Sequence, residues 1–211
     1  MNYVNQLNSL NNIPLLFSYR RCPFAMRARM ALIDSRIDFN IYEISLKDKP
    51  KEMLMISPKG TVPVIKIGDD VIDESVDIMI WAYLNGVSSH FSNIDSISVQ
   101  EGLDLIKKND NQFKLSLDQY KYFTQYPDKK IDELREACLF FIEILDKRLN
   151  KNEYLLSNEI KFADIAIAPF IRQFANIDMN YFLTLKFSRV QSWLYNILNS
   201  DIFLRAMIKP R

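Results

Sequence analysis

The stretch that limits the fold most is residues 15–33, Leu15-Leu16-Phe17-Ser18-Tyr19-Arg20-Arg21-Cys22-Pro23-Phe24-Ala25-Met26-Arg27-Ala28-Arg29-Met30-Ala31-Leu32-Ile33. Leu15 to Ser18 is an apolar run of strand length. Tyr19 to Arg21 supplies a turn. Pro23 suits the first position of a helix, where its missing N–H costs nothing. Met26, Met30 and Ile33 then recur at helical spacing, with Arg27 and Arg29 on other faces. Cys22 therefore stands at a strand-to-helix junction. There a thiol feels the positive end of the helix dipole and the first-turn N–H groups, with Arg20 and Arg21 beside it. That is the setting of a reactive cysteine. It is equally a place where a small apolar residue can be buried, so two uses of Cys22 stay open at this level.

Composition narrows the chemistry. The chain has 211 residues, 48% of them hydrophobic, enough for one large or two small packed domains. The net charge of +1 comes from scattered basic residues, which argues against nucleic acid as a partner. One histidine, His90, and two cysteines, Cys22 and Cys138, cannot assemble a zinc site or a disulfide framework, so no metal is expected. Free thiols fit a reducing compartment, and Met1 to Asn8 lacks the pattern of a secretory signal. No apolar run approaches membrane-spanning length. A cytoplasmic protein without a membrane partner is the expectation.

Along the chain, the asparagine-rich residues 1–13 read as a lead-in. Ile37 to Ile44 alternates as a second strand. Pro50 opens a short helix through Ile56, and Ser57-Pro58-Lys59-Gly60 is a loop. Val62 to Ile67 and Val71 to Asp73 read as strands joined by a turn. Ser75 to Leu84 reads as a helix with Ser75 as its N-cap. The order βαβαββα predicts a thioredoxin-like α/β domain over residues 1–85. Residues 86–96 read as a linker. Residues 97–211 carry only helical patterns, over about 97–126, 130–150 and 162–177, then shorter pieces, and predict an all-α domain.

A thioredoxin-like half followed by a helical half, with a Cys-Pro-Phe-Ala turn, resembles the cytosolic glutathione S-transferase superfamily. The wording is most similar to the omega (cysteine-type) class and its bacterial relatives. The segments that carry the resemblance are Arg21-Cys22-Pro23-Phe24-Ala25, Leu46-Lys47-Asp48-Lys49-Pro50, Val62-Pro63-Val64 and Asp73-Glu74-Ser75, with Phe162 to Phe170 in the second half. The resemblance implies glutathione as co-substrate, a small electrophilic or disulfide second substrate, and a homodimer. It implies Cys22 as catalytic nucleophile of a thiol transferase of the omega or dehydroascorbate-reductase type. It implies a glutathione site made by Phe24, Lys49, Val62, Pro63, Glu74 and Ser75. A cis peptide at Pro63 would turn the main chain of Val62 toward a bound peptide, whereas a trans proline at a strand start is the ordinary alternative.

Glu74 suits an ammonium and Ser75, at a helix start, a carboxylate; together they match the γ-glutamyl end, but an N-cap with an acidic first turn explains them too. Lys49 would hold the glycyl carboxylate, or stand solvated. Asn109, Phe113 and Tyr120, near Asp110, Tyr122 and Phe123, would line the second-substrate pocket or belong to the core. Cys138, on an apolar helix face, reads as core. Asp164 lies where the family has a capping box, but Lys161 replaces the hydroxyl residue and cannot accept a hydrogen bond.

Ala25 stands where a dithiol glutaredoxin has its second cysteine, so a monothiol cycle follows. Two alternatives remain at this level. One is conjugation of glutathione through a hydroxyl, Ser18 or Tyr19. The other is a non-catalytic binding protein on the same fold.

Overall fold

The computed structural model describes residues 1–4, 13–88, 90–91 and 95–209. The chain divides into two compact units: Met1–Ser92 with Ser200–Arg211, and Asn93–Asn199. The closing segment thus groups with the first unit. Part of the expected lead-in (residues 5–12) and of the expected linker (89 and 92–94) lies outside the described residues.

The first unit contains β1 (Asn2–Tyr3), β2 (Leu15–Ser18), α1 (Pro23–Asp34), β3 (Asn40–Glu43), α2 (Lys51–Ile56), β4 (Val64–Ile67), β5 (Asp70–Ile72) and α3 (Ser75–Asn85). The sheet order is β1-β3-β2-β4-β5. β3 lies parallel to β1 and β2, while β4 is antiparallel to β2 and β5. Register is set by pairs such as Leu16 with Ile41 and with Ile65. All four residues of β2 are buried, as a central strand with both faces covered requires. One face of the sheet packs Leu15, Phe17, Ile44 and Val64 with Met53 of α2.

Boundaries shift for local reasons. The second expected strand starts only at Asn40, because Ile37 N–H still donates to Leu32 O at the end of α1. The third starts at Val64, because Pro63 has no N–H for a ladder. The two-residue β1 is too short to show a period. Ser75 is not the N-cap of α3. Glu74 holds that position, and the Ser75 hydroxyl turns to Arg27 instead of the helix N–H groups.

Helix α1 also differs from the expected amphipathic face. Every residue from Ala25 to Asp34 is buried, Arg27 at 1% and Arg29 at 0% exposure. Ala25, Ala28, Ala31 and Leu32 make the helix apolar nearly all round, so its two arginines go inside with it. After α3, Val87 N–H donates to Ser35 O, and His90 and Ser88 both bond the Asp34 carboxylate. The fold thus gives His90 an acidic partner 56 positions away in sequence.

The second unit is helical: α4 (Ser96–Lys108), α5 (Lys114–Lys121), α6 (Ile131–Leu149), α7 (Phe162–Ala175), α8 (Met179–Thr184) and α9 (Ser188–Leu198). The long helix expected over residues 97–126 is interrupted by a π turn, Asn109–Phe113, and ends in the 3₁₀ turn Phe123–Gln125. Its core holds Phe113, Phe141, Phe174 and Phe182, with ring centroids 5.0–6.3 Å apart in successive pairs. Cys138 is fully buried there on α6, and burial pushes its thiol up to about 12. The last helix, α10 (Asp201–Ala206), belongs to the first unit. No helix among the described residues is long and apolar enough to cross a membrane.

Candidate active site

Cys22 is the N-cap residue of α1, half-buried, with Pro23 as the first helical residue. Its N–H donates to Tyr19 O at 2.9 Å and its carbonyl accepts from Met26 N–H at 2.8 Å. The thiol is left to point across the sheet. Sγ lies 3.6 Å from Val62 O, a sulfur–carbonyl hydrogen-bond distance. The Val62–Pro63 peptide is cis, the conformation the resemblance implies, and Pro63 is buried at the start of β4. Cys22, Val62 and Pro63 therefore meet.

Phe24 follows on the first turn of α1. The Arg27 guanidinium sits 5.1 Å from its ring centroid and donates to Ser75 Oγ at 2.9 and 3.1 Å. This fork ties the helix that Cys22 caps to the start of α3. Ser75 is 3% exposed, so its hydroxyl is already engaged by a buried cation.

Glu74, beside it, is exposed. Lys59 bonds both Glu74 (2.7 Å) and Asp73 (3.1 Å), and Ser57 Oγ donates to Asp73 at 2.7 Å. Burial pulls the Lys59 ammonium down, but the bonds to Glu74 and Asp73 outweigh it and hold it above the usual lysine range. The Ser57 hydrogen bond, with Lys59, holds Asp73 below the usual carboxylate range. Lys49 lies over the same loop: a Cβ on Gly60 would stand 3.5 Å from Lys49 Nζ. Gly60 has φ +62°, which glycine adopts freely, and the close approach of Lys49 and Leu54 leaves little room for a side chain.

The hydroxyls nearest Cys22 are occupied. Ser18 Oγ is fully buried and accepts from Arg29, and Tyr19 OH accepts twice from Arg21, at 2.8 and 3.1 Å. In the helical unit, Asn109, Phe113 and Tyr120 do not form an open surface. They are 0–1% exposed. Phe113 packs on Phe141 and Phe174, and the Tyr120 hydroxyl accepts from Arg135. The core alternative is the one the structure contains, because the aromatic residues of this unit close on one another.

Sequence reasoning gave no role to Arg29 or Lys59 and did not foresee the Arg27–Ser75 and Lys59–Asp73 bonds. The signal for the arginines was present in the all-round apolar pattern of α1. That for Lys59 was not, since its carboxylate partners come from the far side of a hairpin.

A half-buried cysteine at the start of the first helix, facing the main chain before a cis-proline, defines a thioredoxin-like unit with a single-cysteine site. Profiles described as "Glutathione S-transferase, N-terminal domain" and "Glutathione S-transferase, C-terminal domain" match residues 16–84 and 103–201. The chain belongs to the glutathione S-transferase family. It is 38% identical over 74 residues to pyrimidodiazepine synthase of Drosophila melanogaster, covering 33% of this chain and 30% of that protein. It is 39% identical over 56 residues to glutathione S-transferase DHAR2 of Arabidopsis thaliana, covering 26% of each. These matches span less than a third of either relative. A glutathione S-transferase from the Antarctic clam Laternula elliptica has the same fold, with a TM-score of 0.80 at 16% identity over 92% of each chain.

Proposed function

We propose that the protein is a glutathione-dependent thiol transferase or reductase of the omega-like kind, with Cys22 as its monothiol nucleophile. The observation that carries this reading is the half-buried Cys22 Sγ, 3.6 Å from Val62 O at the start of α1. With Ala25 one helical turn on, no second cysteine stands at the position that resolves a dithiol site. The Cys22 thiolate attacks the glutathione sulfur of a mixed disulfide, GS–SR. The S–S bond breaks, RS⁻ leaves and takes a proton, and Cys22–S–SG forms. A second glutathione thiolate then attacks the bound glutathione sulfur, releasing Cys22 and glutathione disulfide. Overall, GS–SR and one glutathione give RSH and glutathione disulfide, with one thiol oxidised for each thiol released.

In this reading the cysteinyl main chain of glutathione pairs with Val62 ahead of Pro63, as an added strand would. Glu74 and Ser75, at the start of α3, receive the γ-glutamyl end. Lys49 receives the glycyl carboxylate, and Phe24 closes the side of the site nearest the helix. Lys59 joins the set, because it offsets one of the two charges on Glu74 and Asp73 and so sets how much negative charge the γ-glutamyl ammonium meets. No step calls for a metal. The reading extends to a homodimer with an isologous interface in a reducing compartment. Exposed Ile80 and Leu84 on α3 support a partner surface there.

The test is Cys22→Ser. Disulfide-reductase turnover with glutathione and hydroxyethyl disulfide should disappear, while calorimetric affinity for glutathione stays, because the peptide grip is separate from the nucleophile. Undiminished turnover would remove the cysteine mechanism. Absent glutathione binding in the wild-type protein would favour a non-catalytic role.

A further inference from the structure

Arg29 is completely buried, two helical turns beyond Cys22 on α1. Its guanidinium is spent on main-chain and hydroxyl acceptors of the turn that precedes the nucleophile. Nη1 donates to Ser18 Oγ at 2.5 Å and Tyr19 O at 3.4 Å, and Nη2 to Arg20 O at 2.7 Å. Nε donates to Ala206 O at 2.9 Å, the end of α10, and Met207 Sδ lies 3.9 Å from Nη2. Tyr19 O is shared: it also accepts the Cys22 N–H. The same carbonyl therefore meets the arginine from below and the nucleophile's own backbone from above.

The turn is gripped from the sheet side as well. Glu43 Oε1 accepts the Arg20 N–H at 2.6 Å, and its buried Oε2 has no hydrogen-bond partner among the described residues. Glu43 is the carboxylate whose field reaches Arg29. Burial draws the guanidinium below the usual arginine range, while Glu43, Tyr3 and Cys22 draw it back up. A buried charge of this kind is costly unless its donors are satisfied. What the guanidinium adds is a planar fork that reaches several acceptors at fixed angles.

We propose that Arg29 is the positioning residue of the nucleophile: it locks the Ser18–Arg20 turn so that Cys22 Sγ is aimed at Val62, and it couples that turn to the C-terminal helix α10. The proposal rests on Cys22 being the nucleophile. Arg29 itself touches no reacting atom. A lysine at this position keeps the charge but offers one ammonium in place of the fork, and it cannot hold Ser18, Arg20 and Ala206 together.

The test uses the full chain in a Cys138→Ala background. Arg29→Lys is compared with the parent in three ways: the native rate of Cys22 alkylation by iodoacetamide, and kcat and KM for glutathione in thiol transfer. The alkylation rate and kcat should fall together by about tenfold, as for loss of a charge-assisted hydrogen bond, while KM changes less than about twofold. A folded Arg29→Lys protein with parental alkylation and kcat would overturn the proposal, even with a lower melting temperature. Should that variant not fold, Ser18→Ala decides, since it removes one acceptor and leaves Arg29 in place. It should slow alkylation by about threefold, and no change would overturn the proposal. Alkylation needs no glutathione. A parent protein that alkylates normally but transfers no thiol refutes the thiol-transfer reading alone, and the alkylation rates still judge Arg29.

Discussion

Asp164 gives the sharpest stability prediction. It is fully buried at the third position of α7. Oδ2 accepts the Lys161 N–H at 2.8 Å, and Oδ1 accepts the Leu155 N–H at 3.0 Å and Trp193 Nε1 at 2.8 Å. Asp164→Ala leaves three buried donors without an acceptor. Each such loss costs about 1–3 kcal/mol, and water entering the vacated space softens the sum, so a loss of about 3–5 kcal/mol is expected. Against a typical domain stability of about 5–15 kcal/mol that is a large share. The pH dependence has a definite sign. Burial raises Asp164 from 3.8 to about 6 despite its hydrogen bonds. The native state therefore keeps a proton that the unfolded chain has lost, and this stabilising contribution is full below 3.8 and gone once pH has risen through about 6. Between pH 7.5 and 5.5 the wild-type protein should gain about 1 kcal/mol from this group, and Asp164→Ala none. Urea unfolding followed by tryptophan fluorescence and circular dichroism at both pH values measures this. A loss below about 1 kcal/mol, or a difference that grows with rising pH, would refute the reasoning.

Two further substitutions probe the packing of the helical unit. A Cβ on Gly102 of α4 would stand 2.3 Å from Phe162 Cζ and 3.0 Å from both Cε atoms, and that ring is buried. Gly102→Ala should thus lose about 1–2 kcal/mol in thermal unfolding although alanine is the better helix former by about 1 kcal/mol; a higher melting temperature would show that the ring can move aside. Cys138 is buried, with its thiol pushed up to about 12, so Cys138→Ala should cost about 1 kcal/mol and leave turnover unchanged. Mass spectrometry after native alkylation should find label on Cys22 and none on Cys138 until urea is added.

The fold was legible where period and punctuation agree. Leu15–Ser18 is the observed β2 to the residue, and Pro23 opens α1 as its chemistry demands. Legibility fell where tertiary partners decide. Ser75 has the residue type of an N-cap, but a buried guanidinium claims its hydroxyl first. The aromatic residues around 109–123 have helical spacing that fits a pocket wall and a core equally. Only the neighbouring rings of Phe141 and Phe174 decide for core at Phe113. At Lys161 the sequence argument held in half. Its side chain has no lone pair to offer, so Asp164 N–H goes to the Lys161 main-chain oxygen at 3.0 Å, while the carboxylate supplies the other half of the cap.

The arginines around Cys22 bear on which atom does the chemistry. Three hydroxyls lie close to it in sequence or across the site, and an arginine occupies each: Arg29 on Ser18, Arg21 on Tyr19, Arg27 on Ser75. Arginine can only donate, so each hydroxyl has a lone pair turned toward a permanent cation. The O–H of each hydroxyl is not used by these bonds, so it stays available as a donor. The Cys22 sulfur differs: its partner is the carbonyl of Val62, at a sulfur distance long enough to give way. A carbonyl is an acceptor, so it engages the thiol proton and leaves the sulfur lone pairs unspent. In the proposed thiol transfer, a peptide main chain pairing with Val62 would replace that contact and release the sulfur. On this accounting the arginines do more than add charge near the thiol. They fix the orientation of the Ser18, Tyr19 and Ser75 hydroxyls by occupying an acceptor lone pair of each.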